Sequence, residues 1–193
     1  MGFPIREEPL DDDLLRRCQK GDRAALAELI RRFQDRLFRI ACRVLRDAAR
    51  AEDALADAFA AIWLKCGKWR GESAAGTWIY AVAYRVVLDH ARTRRRWWRR
   101  LGGSADESQA EAQDTTAKVD DRDRVQHLAK RLDAALATLS PEDRALVHLH
   151  YFEERSLAEI AEIVGSTRDA LKMRLSRARA RLRDVLGDGD ELF

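Results

Sequence analysis

Three groups of side chains in this sequence have types and spacings that could do chemistry. The first is acidic: Asp53 and Asp57 are spaced i, i+4, so they share one helix face, with Glu52 beside them and Leu55, Phe59 and Ile62 turned away. Two carboxylates one turn apart suit a magnesium ion or a basic partner helix. Acids are also favoured in a helix's first turn by its dipole. No serine–histidine pair and no glycine-rich phosphate loop accompanies them, so magnesium-dependent hydrolysis is the weaker of these readings.

The second group interleaves rings with cations. Trp78, Tyr80 and Tyr84 precede Arg85, and then Arg92, Arg94, Arg95, Arg96, Arg99 and Arg100 crowd six arginines into nine residues. Such a cluster repels itself unless an anion is near. Bases stack on aromatic rings at about 1–3 kcal/mol each while cations follow the phosphates, so the pattern fits unpaired DNA. Trp78, Ile79, Val82 and Val86 share core spacing, which favours burial of Trp78.

The third group lies in SLAEIAEIVGSTRDALKMRLSRARARLR, Ser156 to Arg183. Ser156 with Glu159 forms a capping-box pattern, and Leu157, Ile160, Ala161 and Val164 make one apolar stripe. Gly165 ends that helix and Thr167 can cap the next. Leu171, Leu175, Ala178 and Leu182 then repeat on a core face, leaving Lys172, Met173, Ser176, Arg177 and Arg181 outward and Arg168 in the first turn. Arg174, Arg179 and Arg183 flank the stripe, placed to hold phosphates. Two helices joined by a short turn, the second basic on its free side, is how a recognition helix enters the DNA major groove.

The elements that position these groups are helical. Prolines number three, two of them in the first ten residues, and aromatics make up only 7% of the 193 residues. The pattern predicts helices over about 11–19, 22–46 and 49–66, a loop over 67–76, and a fourth helix from about Thr77 into the arginine cluster. Residues 101–118 contain almost no large apolar side chain and read as a flexible linker. Beyond it, Val125, Leu128, Leu132, Leu136 and Leu139 mark a helix, and Ser140-Pro141-Glu142-Asp143 starts another. The fold class is therefore all-α: two small helical domains, 1–100 and 119–193, joined by a flexible linker. The second is a helix-turn-helix (winged-helix-like) four-helix domain, and its acidic tail GDGDELF is expected to fray.

Net charge is only +3, so the basicity is local. No apolar run reaches the roughly 18 residues of a membrane span, and the first residues lack a signal peptide's apolar core, so a cytoplasmic location without membrane insertion is expected. Cys18, Cys42 and Cys66 are widely spaced with no Cys/His ligand pattern, and His148 and His150 point apart on a helix. No metal or other cofactor is expected.

In its motifs and their order the chain resembles the RNA polymerase sigma factors of the extracytoplasmic-function (ECF) type. The residues that carry the likeness are RLFRIACRVLRDAARAEDALADAFAAIW (Arg36–Trp63), GTWIYAVAYRVVLDHARTRRR (Gly76–Arg96) and the segment Ser140–Arg183. The resemblance implies a protein without catalytic chemistry that binds core RNA polymerase, directs it to promoter DNA and helps melt the duplex. It implies that Glu52, Asp53 and Asp57 dock on the polymerase, that the 67–96 segment reads and opens the −10 element, and that the Arg168–Arg181 face reads the −35 element. It further implies an anti-sigma factor as partner and a linker threading toward the RNA exit path. The family usually has Asn at Arg85, Gln at Ala56 and Gly-Thr at Asp169-Ala170. The alternative is a conventional helix-turn-helix regulator that binds duplex DNA without polymerase. That role requires a sensor or dimerisation module before the linker, and residues 11–100 show no ligand-pocket signal.

Overall fold

The structure, a computed structural model, describes residues 8–100 and 131–186, with side chains for 10–93 and 131–186. Helices α1 (Glu8–Gln19), α2 (Arg23–Leu45) and α3 (Ala48–Lys65) are followed by a 3-10 turn, Cys66–Lys68, and α4 (Ala75–Arg100). The described part of α5 covers 131–137, and α6 (Pro141–Tyr151), α7 (Leu157–Val164) and α8 (Arg168–Leu186) complete the chain. There is no strand among the described residues. The linker 101–118, the residues Val125 and Leu128, and the acidic tail lie outside the described residues.

The starts of α2, α3, α4, α6, α7 and α8 are each fixed by a side chain that satisfies backbone N–H groups left without intrahelical partners. Asp22 accepts from Ala24 N and Ala25 N at 2.8 and 3.1 Å, and Asp47 accepts from Arg50 N at 3.1 Å. Ser140 caps α6 with Pro141 behind it, and Ser156 and Glu159 form the full capping box of α7. Helix α4 begins two residues before the predicted Thr77 because Asp12 of α1 accepts from Ala75 N at 2.7 Å, a cap supplied from 63 residues away. Gln19 holds the approach to α4 by donating to Cys66 O and Trp69 O at 3.0 and 2.8 Å.

The periodicity of α2 predicts an apolar face of Leu26, Leu29, Ile30, Phe33, Leu37, Ile40, Val44 and Leu45; all are buried except Leu26 and Ile30, which are half-buried, and Ala25 and Ala41 are buried with them. Each fully buried large side chain contributes about 1.5–3 kcal/mol. In α7 the buried residues are Ile160 and Ile163, whereas Leu157, Ala161 and Val164 are only half-buried. The stripe is rotated because α7 is wedged between α8 and α4 and buries two flanks at once.

That wedge brings the two helical units into contact. α4 packs on α7 and α6, α2 packs on α6, and one core continues from Leu14 to Leu186.

Candidate nucleic-acid interface

Helix α8 separates its faces cleanly. Leu171, Leu175, Ala178, Leu182 and Leu186 are buried, and Arg168, Lys172, Met173, Ser176, Arg177 and Arg181 are all exposed. Gly165, at φ 69°, makes the turn before it, and Thr167 Oγ1 accepts from Ala170 N at 3.2 Å. Left-handed backbone there suits glycine, which lets two helices meet across a short connection. Met173 is 61% exposed, an apolar tip among cations that could touch a thymine methyl. Of the flanking arginines, Arg183 is exposed. Arg174 donates twice to Asp143 of α6, through Nε at 3.0 Å and Nη2 at 2.8 Å. Arg179 donates to the Tyr151 hydroxyl. These two brace α8 rather than extend freely.

The acidic face is also real. Glu52, Asp53 and Asp57 are exposed on α3, and Ala51, Ala54, Ala58, Phe59 and Ile62 are buried behind them. His90 of α4 brings Nε2 to 2.9 Å from Asp57 Oδ2, and Arg50 donates to the His90 carbonyl at 2.6 Å. Ala56 and Ala60 continue the exposed stripe to Leu64, which is 80% exposed. Leu64 was missed in the sequence, although its place seven residues after Asp57 on the same face was a readable signal.

On α4 the candidates diverge. Arg85 and Arg92 are exposed, and Trp78 and Tyr84 are half-buried. Arg94, Arg95 and Arg96 continue the helix, their side chains lying outside the described residues. Tyr80 is 1% exposed, not presented to solvent. Its hydroxyl donates to Glu153 Oε2 at 2.6 Å, and its ring meets Phe33 edge-on at 6.2 Å. Arg36 Nε donates to the same Glu153 oxygen at 2.7 Å, while His148 Nε2 lies 3.6 Å from the other. Burial alone would raise the Glu153 pKa. The His148 ring, the Tyr80 hydroxyl and Arg36 outweigh it and hold the carboxyl at about 2. Burial, then the neighbouring Glu153 charge, pushes the Tyr80 hydroxyl upward, so it stays a neutral donor to an ionised acceptor. Neither Arg36 nor Glu153 was marked by any local sequence pattern, since 117 residues separate them.

The thiols do not form a reactive centre. Cys18 and Cys66 are buried, and burial, with Cys66 adding to it, raises the Cys18 thiol to about 11. Among the described residues no cluster of His, Cys, Asp and Glu could hold a metal, and no helix is long and apolar enough to cross a membrane.

Comparison with known proteins agrees with this layout. A family model described as Sigma-70 region 2 matches residues 29–99, and one described as Sigma-70, region 4 matches 129–182. The ECF RNA polymerase sigma factor SigM of Mycobacterium tuberculosis is 32% identical over 192 residues, which covers 97% of this chain and 90% of the relative. SigL of the same organism is 34% identical over 173 residues, covering 86% and 93%. Two solved structures share the fold. One is CnrH in complex with the cytosolic domain of CnrY (TM-score 0.68, 19% identity, 94% of this chain and 99% of that one). The other is RpoE in complex with the anti-sigma factor NepR from Bartonella quintana (TM-score 0.66, 23% identity, 85% and 98%). Likeness of that extent to SigM carries more than a fold: the chain belongs to the ECF family of RNA polymerase sigma factors, and it directs promoter-specific initiation of transcription.

Proposed function

We propose that initiation is divided among the three surfaces. Residues 1–100 form the unit that binds core polymerase and opens the −10 element, 101–118 link the units, and 119–193 read the −35 element. Arg168, Lys172, Met173, Ser176, Arg177 and Arg181 face the major groove of duplex DNA. Glu52, Asp53 and Asp57 dock on a basic surface of the polymerase, with Leu64 as an apolar anchor at the end of the same stripe. Trp78, Tyr84, Arg85, Arg92, Arg94, Arg95 and Arg96 hold the melted strand, trapping bases while cations neutralise phosphates, and Tyr80, buried against Glu153 in this structure, joins them only where that contact opens.

The observation that carries this reading is the clean split of α8, with every groove candidate exposed and every core candidate buried. As a sigma factor the protein acts by binding rather than by catalysis, in the cytoplasm where polymerase works. An anti-sigma factor is the expected regulator, by analogy with the NepR complex of the RpoE structure. Run-off transcription with core polymerase on genomic fragments tests the whole assignment. Accurate starts that depend on this chain support it; none on any fragment would refute it.

A further inference from the structure

Helices α6 and α7 cover the face of α4 that carries Tyr80. The turn between them, Phe152 to Ser156, places Glu153 at the centre of this contact, its side chain 2% exposed. Around it stand groups from three elements. Tyr80 of α4 and Arg36 of α2 donate to Oε2, and Arg39 of α2 (Nη2, 3.7 Å) and His148 of α6 (Nε2, 3.6 Å) approach Oε1. The guanidinium carbons of Arg36 and Arg155 lie 5.5 and 5.0 Å from the Tyr80 ring centroid. Two guanidinium groups and a phenol converging on one anionic oxygen pair is how proteins hold a phosphate.

The turn itself supports the assignment. Glu154 has φ 51°, a left-handed backbone that a glutamate adopts only at a cost. Glu153 N bonds back to His148 O at 3.2 Å and Arg155 N to Leu149 O at 3.0 Å, and these bonds hold the strained residue in place. Strain of this kind collects at switches. At the rim, Arg92 meets Glu142 at 3.6 Å, and Arg43 and Arg46 meet Asp133 at 3.7 and 3.9 Å. These partly exposed pairs add little, so the buried Glu153 cluster is the main polar tie between the units, set within the apolar packing of α4 on α7 and α2 on α6.

We infer that Arg36, Arg39 and Tyr80 form an anion cradle for a backbone phosphate of single-stranded DNA, and that Glu153 occupies it in cis, latching the free chain shut. A strand entering along α4 displaces the carboxylate, swings α6–α7 away and bares the aromatic face. The inference rests on the reading of α4 as the strand-binding helix and adds the site's ligand and its internal competitor.

The test uses the full chain. Radius of gyration is measured by small-angle X-ray scattering, and affinity for a fluorescent single-stranded oligonucleotide is measured by anisotropy. Glu153→Gln and Glu153→Ala should each enlarge the radius and bind the oligonucleotide about tenfold more tightly, with helical content unchanged by circular dichroism. Arg36→Gln should also enlarge the radius but show no gain in affinity, because it breaks the latch by removing the cradle. An unchanged radius for both Glu153 variants would overturn the latch. Affinity gained by Arg36→Gln as fully as by Glu153→Ala would overturn the cradle. Arg85→Ala, assayed with core polymerase on a premelted promoter bubble where closure is irrelevant, tests the underlying reading separately. Normal complex formation there would remove α4 from the strand path without bearing on the latch.

Discussion

Arg174 of α8 clamps Asp143 in the first turn of α6, donating from both Nε and Nη2 to one carboxylate oxygen. Asp143 also receives the Ser140 hydroxyl at 2.7 Å, so the cap of α6 and the seat of α8 are one network. Arg174→Ala should therefore loosen the C-terminal unit by about 1–2 kcal/mol, the loss of charge-assisted bonds at a part-buried site. Thermal unfolding should report a midpoint lower by a few degrees. An unchanged midpoint would mean that the Arg174–Asp143 pair does not hold the unit together.

Arg177 stands free on the exposed side of α8 apart from a long bond to its own helix, Nε to Met173 O at 3.4 Å. Arg177→Ala should weaken duplex promoter binding by about 1–3 kcal/mol, the worth of one good base contact. Affinity for core polymerase should stay the same. Equal losses in both titrations would contradict the groove assignment.

Asp53 should behave in the opposite way. Asp53→Arg places a like charge against a basic surface and should lower core polymerase affinity at least tenfold, with duplex binding by the chain alone unaffected. Leu64→Ala should lower the same affinity with less dependence on salt, since its loss is one of apolar contact. Competition binding against a labelled sigma factor measures both. Polymerase affinity unaltered in the two variants would remove α3 from the interface.

The Glu153 carboxyl is held at about 2, below its ordinary 4.5. A depressed pKa in the folded chain means stability that is complete above about 4.5 and is lost as pH falls through about 2. The full difference is on the order of 3 kcal/mol for this buried group. The stability gap between the wild-type chain and Glu153→Gln should therefore be widest near neutral pH and close steadily between pH 4.5 and 2. A gap independent of pH would mean that the charge of Glu153 does not matter to closure.

What could be read in the sequence was whatever repeats locally. The α8 faces, the capping box at Ser156 and Glu159, the Gly165 turn and the α2 core all follow from periods of 3.6 and from side chains that reach their own backbone. The early start of α4 at Ala75 could not be read, because its cap comes from Asp12. For the same reason Tyr80 looked like a stacking platform. Its spacing with Tyr84 and Arg85 is visible along the helix, but the carboxylate that covers it comes from the far end of the chain. The half-buried state of Leu157 and Val164 likewise reflects α7 serving two neighbours, which no one-dimensional stripe encodes.

Arg36 and Glu153 belong to a single polypeptide, so their meeting has no order in concentration. Making more copies of the protein leaves the ratio of shut to open molecules where it was. A cell that adjusts expression thus scales its supply of competent molecules in proportion, and only something that binds one form in preference to the other can bend that line.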